Sequence, residues 1–230
     1  MTEDSSPVVS PLQPIHLLSD SQLLFWRGPA GEALWDSVRA SKAAYIGASN
    51  GDLLEFYSIF EAAMDVAGIS ERRMIRAAFE AADRDFLGEA DLILLAGGDV
   101  ERGWKVMVET GMREAISDRY ARGAALIGVS AGAIHLGSHA VLERPDGSHE
   151  LGTMLGLVSL IVDVHDEERD WTKLAGTIEL LEGTARGIGI PRGGGLVCHG
   201  NSVVEALRHS VYEFSFEGRA LRRAMLVPHA

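Results

Sequence analysis

The residues with the clearest capacity for chemistry lie over positions 124–137. There an apolar stretch passes into Gly128-Val129-Ser130-Ala131-Gly132, and small residues then open a helix. The G-x-S-x-G spacing and its strand–turn–helix setting point to a nucleophile elbow. Such a turn is so sharp that glycine is needed on either side of the serine, and it lifts the hydroxyl out of the sheet towards the free N–H groups of the next helix. Ser130 is thus the candidate nucleophile, and the Ala131 N–H a candidate donor to an oxyanion. The competing reading gives Ser130 only a helix-capping role. A second pair, Gly97-Gly98, follows the apolar run over 92–95. Its N–H groups, that of Gly98 above all, would complete an oxyanion hole, the largest single electrostatic contribution to acyl transfer. Otherwise the pair is a tight strand-to-helix turn.

A serine of this kind needs a general base, usually histidine. Of the eight histidines, His16 lies in an early strand and His229 next to the terminus. His135 projects away on the helix after Ser130, and His139 and His149 flank a polar stretch that fixes neither. His165 is best placed, at a strand-to-loop transition after the apolar run over 157–162, with His199 at another strand end as runner-up. The acid that would orient the base stays open. Asp163, two residues before His165, faces the same side of a strand, and Asp166 or Glu167 could swing in.

Elements must bring these residues together. From position 15 onward, apolar runs of strand length (15–18, 43–46, 92–95, 124–129, 196–197 and 211–216) alternate with stretches of helical period (53–67, 70–82, 106–122 and 131–137). That is the pattern of an α/β fold, a mainly parallel sheet covered by helices in a three-layer sandwich. In such a sheet, chemistry sits at the carboxyl ends of the strands, where helix N-termini also point. Asn50 and Asp52, at an early strand tip, are expected to line the pocket or close a turn. Asp99 is expected to cap the helix that starts at Val100 or to contact substrate. Residues 1–14, with three prolines and three serines, read as a flexible arm, and 15–230 as one domain.

The 230 residues are 47% hydrophobic and 23% charged, enough to bury roughly 70% of the unfolded surface without staples. With 21 basic against 33 acidic residues the net charge is −12. Such a surface repels phosphate backbones, which excludes nucleic acid bound through a broad basic face. No apolar run nears the ~18 residues that span a bilayer, and the acidic start lacks the pattern of a signal peptide. A cytoplasmic protein with no membrane partner is expected. The single cysteine, Cys198, fits that compartment and reads as a buried apolar residue. No spacing of metal ligands and no G-x-G-x-x-G fingerprint is present, so neither metal nor cofactor is expected.

The succession LAGGD, GVSAGA, GLV…VDVH…R and GIGI…LVCHG…VYEF, in that order over roughly residues 40–216, resembles the dipeptidase E and cyanophycinase family of serine peptidases, family S51. The resemblance implies a fold like that of class I glutamine amidotransferases, flavodoxin-like, with serine in place of their cysteine. It implies cleavage of peptide bonds adjoining aspartate, hence a small peptide as partner, and a tendency to form homodimers. His165 matches the family's histidine. Arg169 matches the arginine that holds the aspartyl group, a task suited to a guanidinium fork. Gly97, Asp99 and Asn50 complete the expected substrate contacts. Glu143 and Asp146, 13 and 16 residues after Ser130, lie close to where the dipeptidase branch places its triad acid. Three departures stand out: Pro191 and Arg192 replace an acid expected after the GIGI strand, Val100 replaces a glutamine, and Trp171 replaces a second arginine. The first removes one orienter of the base; the other two, set against the cyanophycin-specific branch, point away from cyanophycin and towards another aspartyl or β-aspartyl peptide, or a different acyl substrate. The rivals are an esterase using His199 or His209 as base, and a ligand-binding relative without catalysis, which the missing acid would suit.

Overall fold

The computed structural model describes residues 12–144, 146–200, 203–218 and 220–228. The arm expected over 1–14 lies outside them apart from residues 12–14, as does His229. In chain order the elements are β1 (Ile15–Leu18), α1 (Pro29–Ser37), β2 (Lys42–Ile46), α2 (Leu54–Ala67), β3 (Glu71–Ile75), α3 (Ala81–Glu89), β4 (Leu92–Leu95), α4 (Val100–Thr110), α5 (Met112–Ala121) and β5 (Ala125–Val129). Then follow α6 (Ala131–Leu136), β6 (His139–Glu143), β7 (His149–Thr153), β8 (Ile161–Val164), α7 (Thr172–Leu180), β9 (Gly187–Ile190), β10 (Gly195–His199), β11 (Val203–Leu207), β12 (Val211–Glu217) and β13 (Ala220–Leu226).

Seven strands form the main sheet in the order β11-β10-β1-β5-β4-β2-β3. The five from β1 to β3 are mutually parallel, and β10 and β11 add an antiparallel edge. The strands are apolar on both faces because both faces are covered. Along β2, Ala44 and Ile46 point to one side with Ile93 and Leu95 of β4, while Ala43 and Tyr45 point to the other with Leu92 and Leu94. Leu34 of α1 and Phe60, Ala63 and Met64 of α2 close the second side. Leu87 of α3, Met107 of α4, Met112 and Ile116 of α5 and Ala133 and Ile134 of α6 close the first. The result is the flavodoxin-like three-layer sandwich. No helix among the described residues is long and apolar enough to cross a membrane.

A second sheet, in the order β13-β12-β9-β8, lies beyond α6, and β6 pairs with β7 in a separate hairpin. Within it β8 and β9 run parallel, with Val164 opposite Ile190. Helix α7 covers this sheet through Leu174 and Ile178, with Trp171 just ahead of it. A Cβ at Gly189 would sit 2.6 Å from the Trp171 ring, so Trp171 is a core residue.

Two helical expectations are corrected. Residues 70–82 are not a helix: Glu71–Ile75 form β3, an edge strand whose Glu71 and Arg73 are exposed while the half-buried Arg72 reaches Glu61 and Asp65 of α2, and α3 begins only at Ala81. An edge strand carries charge where a central one is apolar, which imitates a polar helix face. The stretch 106–122 is two helices, because Gly111 adopts φ +75° and ends α4 in the left-handed geometry that favours glycine.

Arg73 Nε donates to Asp83 Oδ1 at 2.8 Å, tying β3 to α3; the Asp83 side chain is 6% exposed and that of Arg73 43%. Arg73→Ala leaves a buried carboxylate without its cation and is expected to cost about 1–3 kcal/mol in urea unfolding. The double variant Arg73→Ala/Asp83→Leu should recover most of that loss.

Candidate active site

Ser130 follows the last residue of β5 with φ +51° and ψ −113°. Such backbone costs about 1–3 kcal/mol and persists only where the surroundings over-determine it. Here they do. The Ser130 N–H donates to Leu18 O of β1 at 2.9 Å. A Cβ at Gly128 would lie 2.6 Å from Gly132 O, and one at Gly132 only 2.1 Å from Leu95 O of β4. The first glycine therefore lets the turn fold back on itself, and the second lets α6 press onto the neighbouring strand. The Ser130 side chain makes no capping bond to the helix.

The tip of β4 lies beside it. A Cβ on Gly97 would be 3.1 Å from Ser130 Cβ. Asn50 Nδ2 donates to Gly97 O at 3.2 Å and to the Tyr45 hydroxyl at 2.8 Å. In a trans peptide the next N–H points opposite to the carbonyl, so this grip on Gly97 O turns the Gly98 N–H away from Asn50. Neither that N–H nor the Ala131 N–H has a hydrogen-bond partner among the described residues. Asn50 is 6% exposed and stands behind the pocket wall, not in the pocket as expected. Asp52 closes the same turn, with Oδ2 accepting from Ala77 N at 2.8 Å. Asp99 caps α4, its Oδ1 accepting from Arg102 N at 2.7 Å, and faces a separate groove with Glu101 and Trp104.

His165 comes from the second sheet. Its Nε2 lies 3.1 Å from Ser130 Oγ. Its N–H donates to Ile190 O at 2.9 Å, and φ is +45°. That left-handed geometry ends the two-residue alternation of β8, which is why strand parity misplaces Asp163. Asp163 Oδ1 instead accepts from Val164 N at 3.0 Å, and Oδ2 has no partner among the described residues. Burial pushes the Asp163 carboxyl up to about 6; the Val164 N–H, Lys173 and His165 oppose this, and Asp166 adds to it. Among the described residues no carboxylate lies within 4.0 Å of the His165 ring nitrogens. Glu143 ends β6 in the hairpin, with its N–H bound to Glu101, and Asp146 holds the hairpin turn through Ser148. None of the five candidate acids, Asp163, Asp166, Glu167, Glu143 and Asp146, makes a hydrogen bond or ion pair to the His165 ring among the described residues.

The other histidines are placed elsewhere. Since β10 runs antiparallel to β1, with Ile15 opposite Cys198, His199 is at the far edge of the sheet, 3.6 Å from Glu205. His135 is buried, its Nε2 2.8 Å from Val100 O, and burial brings it down to about 4. His16 is buried against Ser37 and likewise brought down to about 4. Burial pushes the Cys198 thiol up to about 12. Among the described residues no cluster of three or more metal-ligating side chains occurs.

Two recesses flank the dyad. One, of about 380 Å³, is polar and includes Ala131, Asp163, Asp166, Arg169, Lys173 and Arg192. Arg169 is 82% exposed at its rim, 3.8 Å from Asp166. The other, of about 330 Å³, is walled by Tyr45, Phe56, Ile59, Phe60 and Leu94, and again by Arg192. The apolar wall and Arg192 escaped sequence reasoning. Helix α2 reads simply as amphipathic, and Arg192 registers only as a missing acid.

A hydroxyl hydrogen-bonded to an imidazole at the carboxyl edge of a parallel sheet is the equipment of a serine hydrolase, carried here on a flavodoxin-like frame. The family follows from the sequence. Residues 42–206, more than half of the chain, match the model of peptidase family S51, so the chain belongs to that family and is a serine peptidase. A peptidase from an acI-B1 Actinobacterium is similar in structure, with a TM-score of 0.64 at 16% identity, covering 94% of this chain and 97% of its own. A protein from Listeria monocytogenes EGD-e provisionally named peptidase E has a TM-score of 0.65 at 18% identity, covering 86% and 98%. At these identities the likeness is one of fold. No curated protein sequence matches this chain.

Between about pH 4 and pH 7 the folded protein holds the Asp163 proton more tightly than the unfolded chain, so stability falls as pH rises through that window. Asp163→Asn removes this fall. Taking pH 4 as reference, the variant should exceed the parent at pH 7.5 by about 2 kcal/mol in chemical unfolding. Equal pH slopes would count against a protonated buried carboxyl.

Proposed function

We propose that the protein hydrolyses an aspartyl or β-aspartyl bond in a small peptide through an acyl-enzyme on Ser130. The observation that carries the reading is the 3.1 Å contact of Ser130 Oγ with His165 Nε2. With Nε2 unprotonated, His165 takes the hydroxyl proton as Oγ attacks the scissile carbonyl carbon. The carbonyl oxygen becomes an oxyanion held by the N–H groups of Gly98 and Ala131, whose freedom from other partners supports this role. Asn50 is a positioning residue for Gly98. His165 then gives its proton to the leaving nitrogen, the C–N bond breaks, and the acyl group remains on Ser130. Water, deprotonated by His165, releases it. Arg169 and Lys173 give the polar recess the cations that an aspartyl carboxylate needs. With no carboxylate bound to the imidazole among the described residues, the unit acts as a dyad, its base held by the backbone bond to Ile190. A cytoplasmic site of action fits the lone, buried Cys198.

A fluorophosphonate probe should label Ser130, and Ser130→Ala or His165→Ala should each lower kcat/KM by about 10³-fold or more. Asp163→Asn, Glu143→Gln and Asp146→Asn should each change it less than about tenfold. A panel of α- and β-aspartyl dipeptides against p-nitrophenyl esters tests the substrate class. Turnover of the esters alone would sink the peptidase assignment of this site, and an unlabelled Ser130 in folded protein would sink the nucleophile.

A further inference from the structure

We infer that the apolar recess beside Ser130 is a subsite for a large apolar side chain, and that Arg192 takes the carboxylate of the same residue. The favoured substrate is then a dipeptide whose leaving residue is leucine- or phenylalanine-like and ends in a free carboxylate. This rests on the serine peptidase reading above and narrows it.

The recess opens directly onto Ser130 and His165 and holds about 330 Å³, the lower end of the range for small-ligand sites (about 300–1,000 Å³). Its floor is rigid. Tyr45 and Phe60 are buried, with ring centroids 5.2 Å apart, and Tyr57 stacks on Phe60 at 5.6 Å. Burial raises the Tyr45 hydroxyl to about 12, so it stays neutral. Phe56 and Ile59 of α2 are 44% and 38% exposed and form the outer wall. Such a surface suits hydrocarbon and would leave an aspartyl carboxylate unsolvated. The one carboxylate on its rim, Asp20, already accepts from Gly193 N at 2.7 Å and Gln22 N at 2.9 Å.

Arg192 lies where this recess meets the polar one and lines both. Its backbone is fixed, following Pro191 and donating to Glu167 Oε1 at 3.2 Å. Its guanidinium is 68% exposed, and its one ion-pair contact among the described residues, Glu167, is 4.0 Å away. The remaining acids around it are Asp20 in the apolar recess and Asp163, Asp166 and Glu168 in the polar one. A fork so loosely engaged can bind a carboxylate through two parallel bonds. An aspartyl dipeptide carries two carboxylates, and the site offers two separate cationic stations. Arg169 and Lys173 serve the acyl side, and Arg192 serves the leaving side.

The test reads binding of product-like amino acids to Ser130→Ala protein by calorimetry, so it does not depend on turnover. Leucine and phenylalanine should bind at least about tenfold more tightly than glycine, within the usual range for apolar pockets. Leucinamide should bind at least about tenfold more weakly than leucine. Adding Arg192→Gln should abolish the difference between leucine and leucinamide, with partial rescue by Arg192→Lys. Adding Ile59→Glu, at a half-exposed helix position, should abolish the difference between leucine and glycine. Equal binding of leucine and glycine overturns the apolar subsite, and an unchanged amide effect in Arg192→Gln overturns the role of Arg192. Binding of none of the four compounds overturns the inference as a whole. Labelling of Ser130 in the parent protein decides the hydrolase reading separately.

Discussion

The packing of α6 between two sheets is the constraint on which the site depends. All six residues of this helix are buried. Ala133, Ile134 and Leu136 share one apolar core with Leu126 of the main sheet and with Val162, Val164, Ile188 and Ile190 of the second. Just beyond its end, Ser138 N donates to Leu160 O at 2.8 Å, fastening the helix to the start of β8. Protein interiors are close-packed, so the width of α6 fixes how far apart the sheets stand. The distance from Ser130 Oγ to His165 Nε2 is therefore set by packing. Alanine and glycine in the first turn keep the spacer thin, and any larger residue at Gly132 would meet the β4 backbone.

Charge around the dyad is arranged as a field and not as a contact. Asp163, Asp166 and Glu167 each keep one buried oxygen without a partner among the described residues. All three sit in or next to the turn that carries His165. None of them makes a hydrogen bond or ion pair to the ring. Arg192 sits across from this group at the junction of the two recesses. Part of the local acidity thus faces inward, towards the recesses.

How legible this was in the sequence depends on how local the determinant is. The elbow at Ser130 is written in five consecutive residues, and the central strands in short apolar runs, so both could be read directly. His165 was recoverable from its strand-end position and the family pattern. Asp163 was misjudged because strand parity assumes that the strand continues, and the positive φ at His165 ends it. His199 misled for a topological reason: the direction of β10 is not visible in LVCHG, and reversing a strand carries its end to the opposite edge. Strand β3 was hidden because an edge strand is free to carry charge. The recess walled by α2 is assembled from residues far apart in the chain, each bland in its own neighbourhood.

The dyad joins one residue from each sheet, and neither sheet holds both. A chain whose two sheets were each intact but slightly parted would keep nearly all of its secondary structure and still lack the Ser130–His165 contact. On the proposed mechanism, activity therefore gauges the seam between the sheets. Variants that loosen α6 would yield molecules that look folded by circular dichroism yet lack the contact on which the proposed chemistry rests.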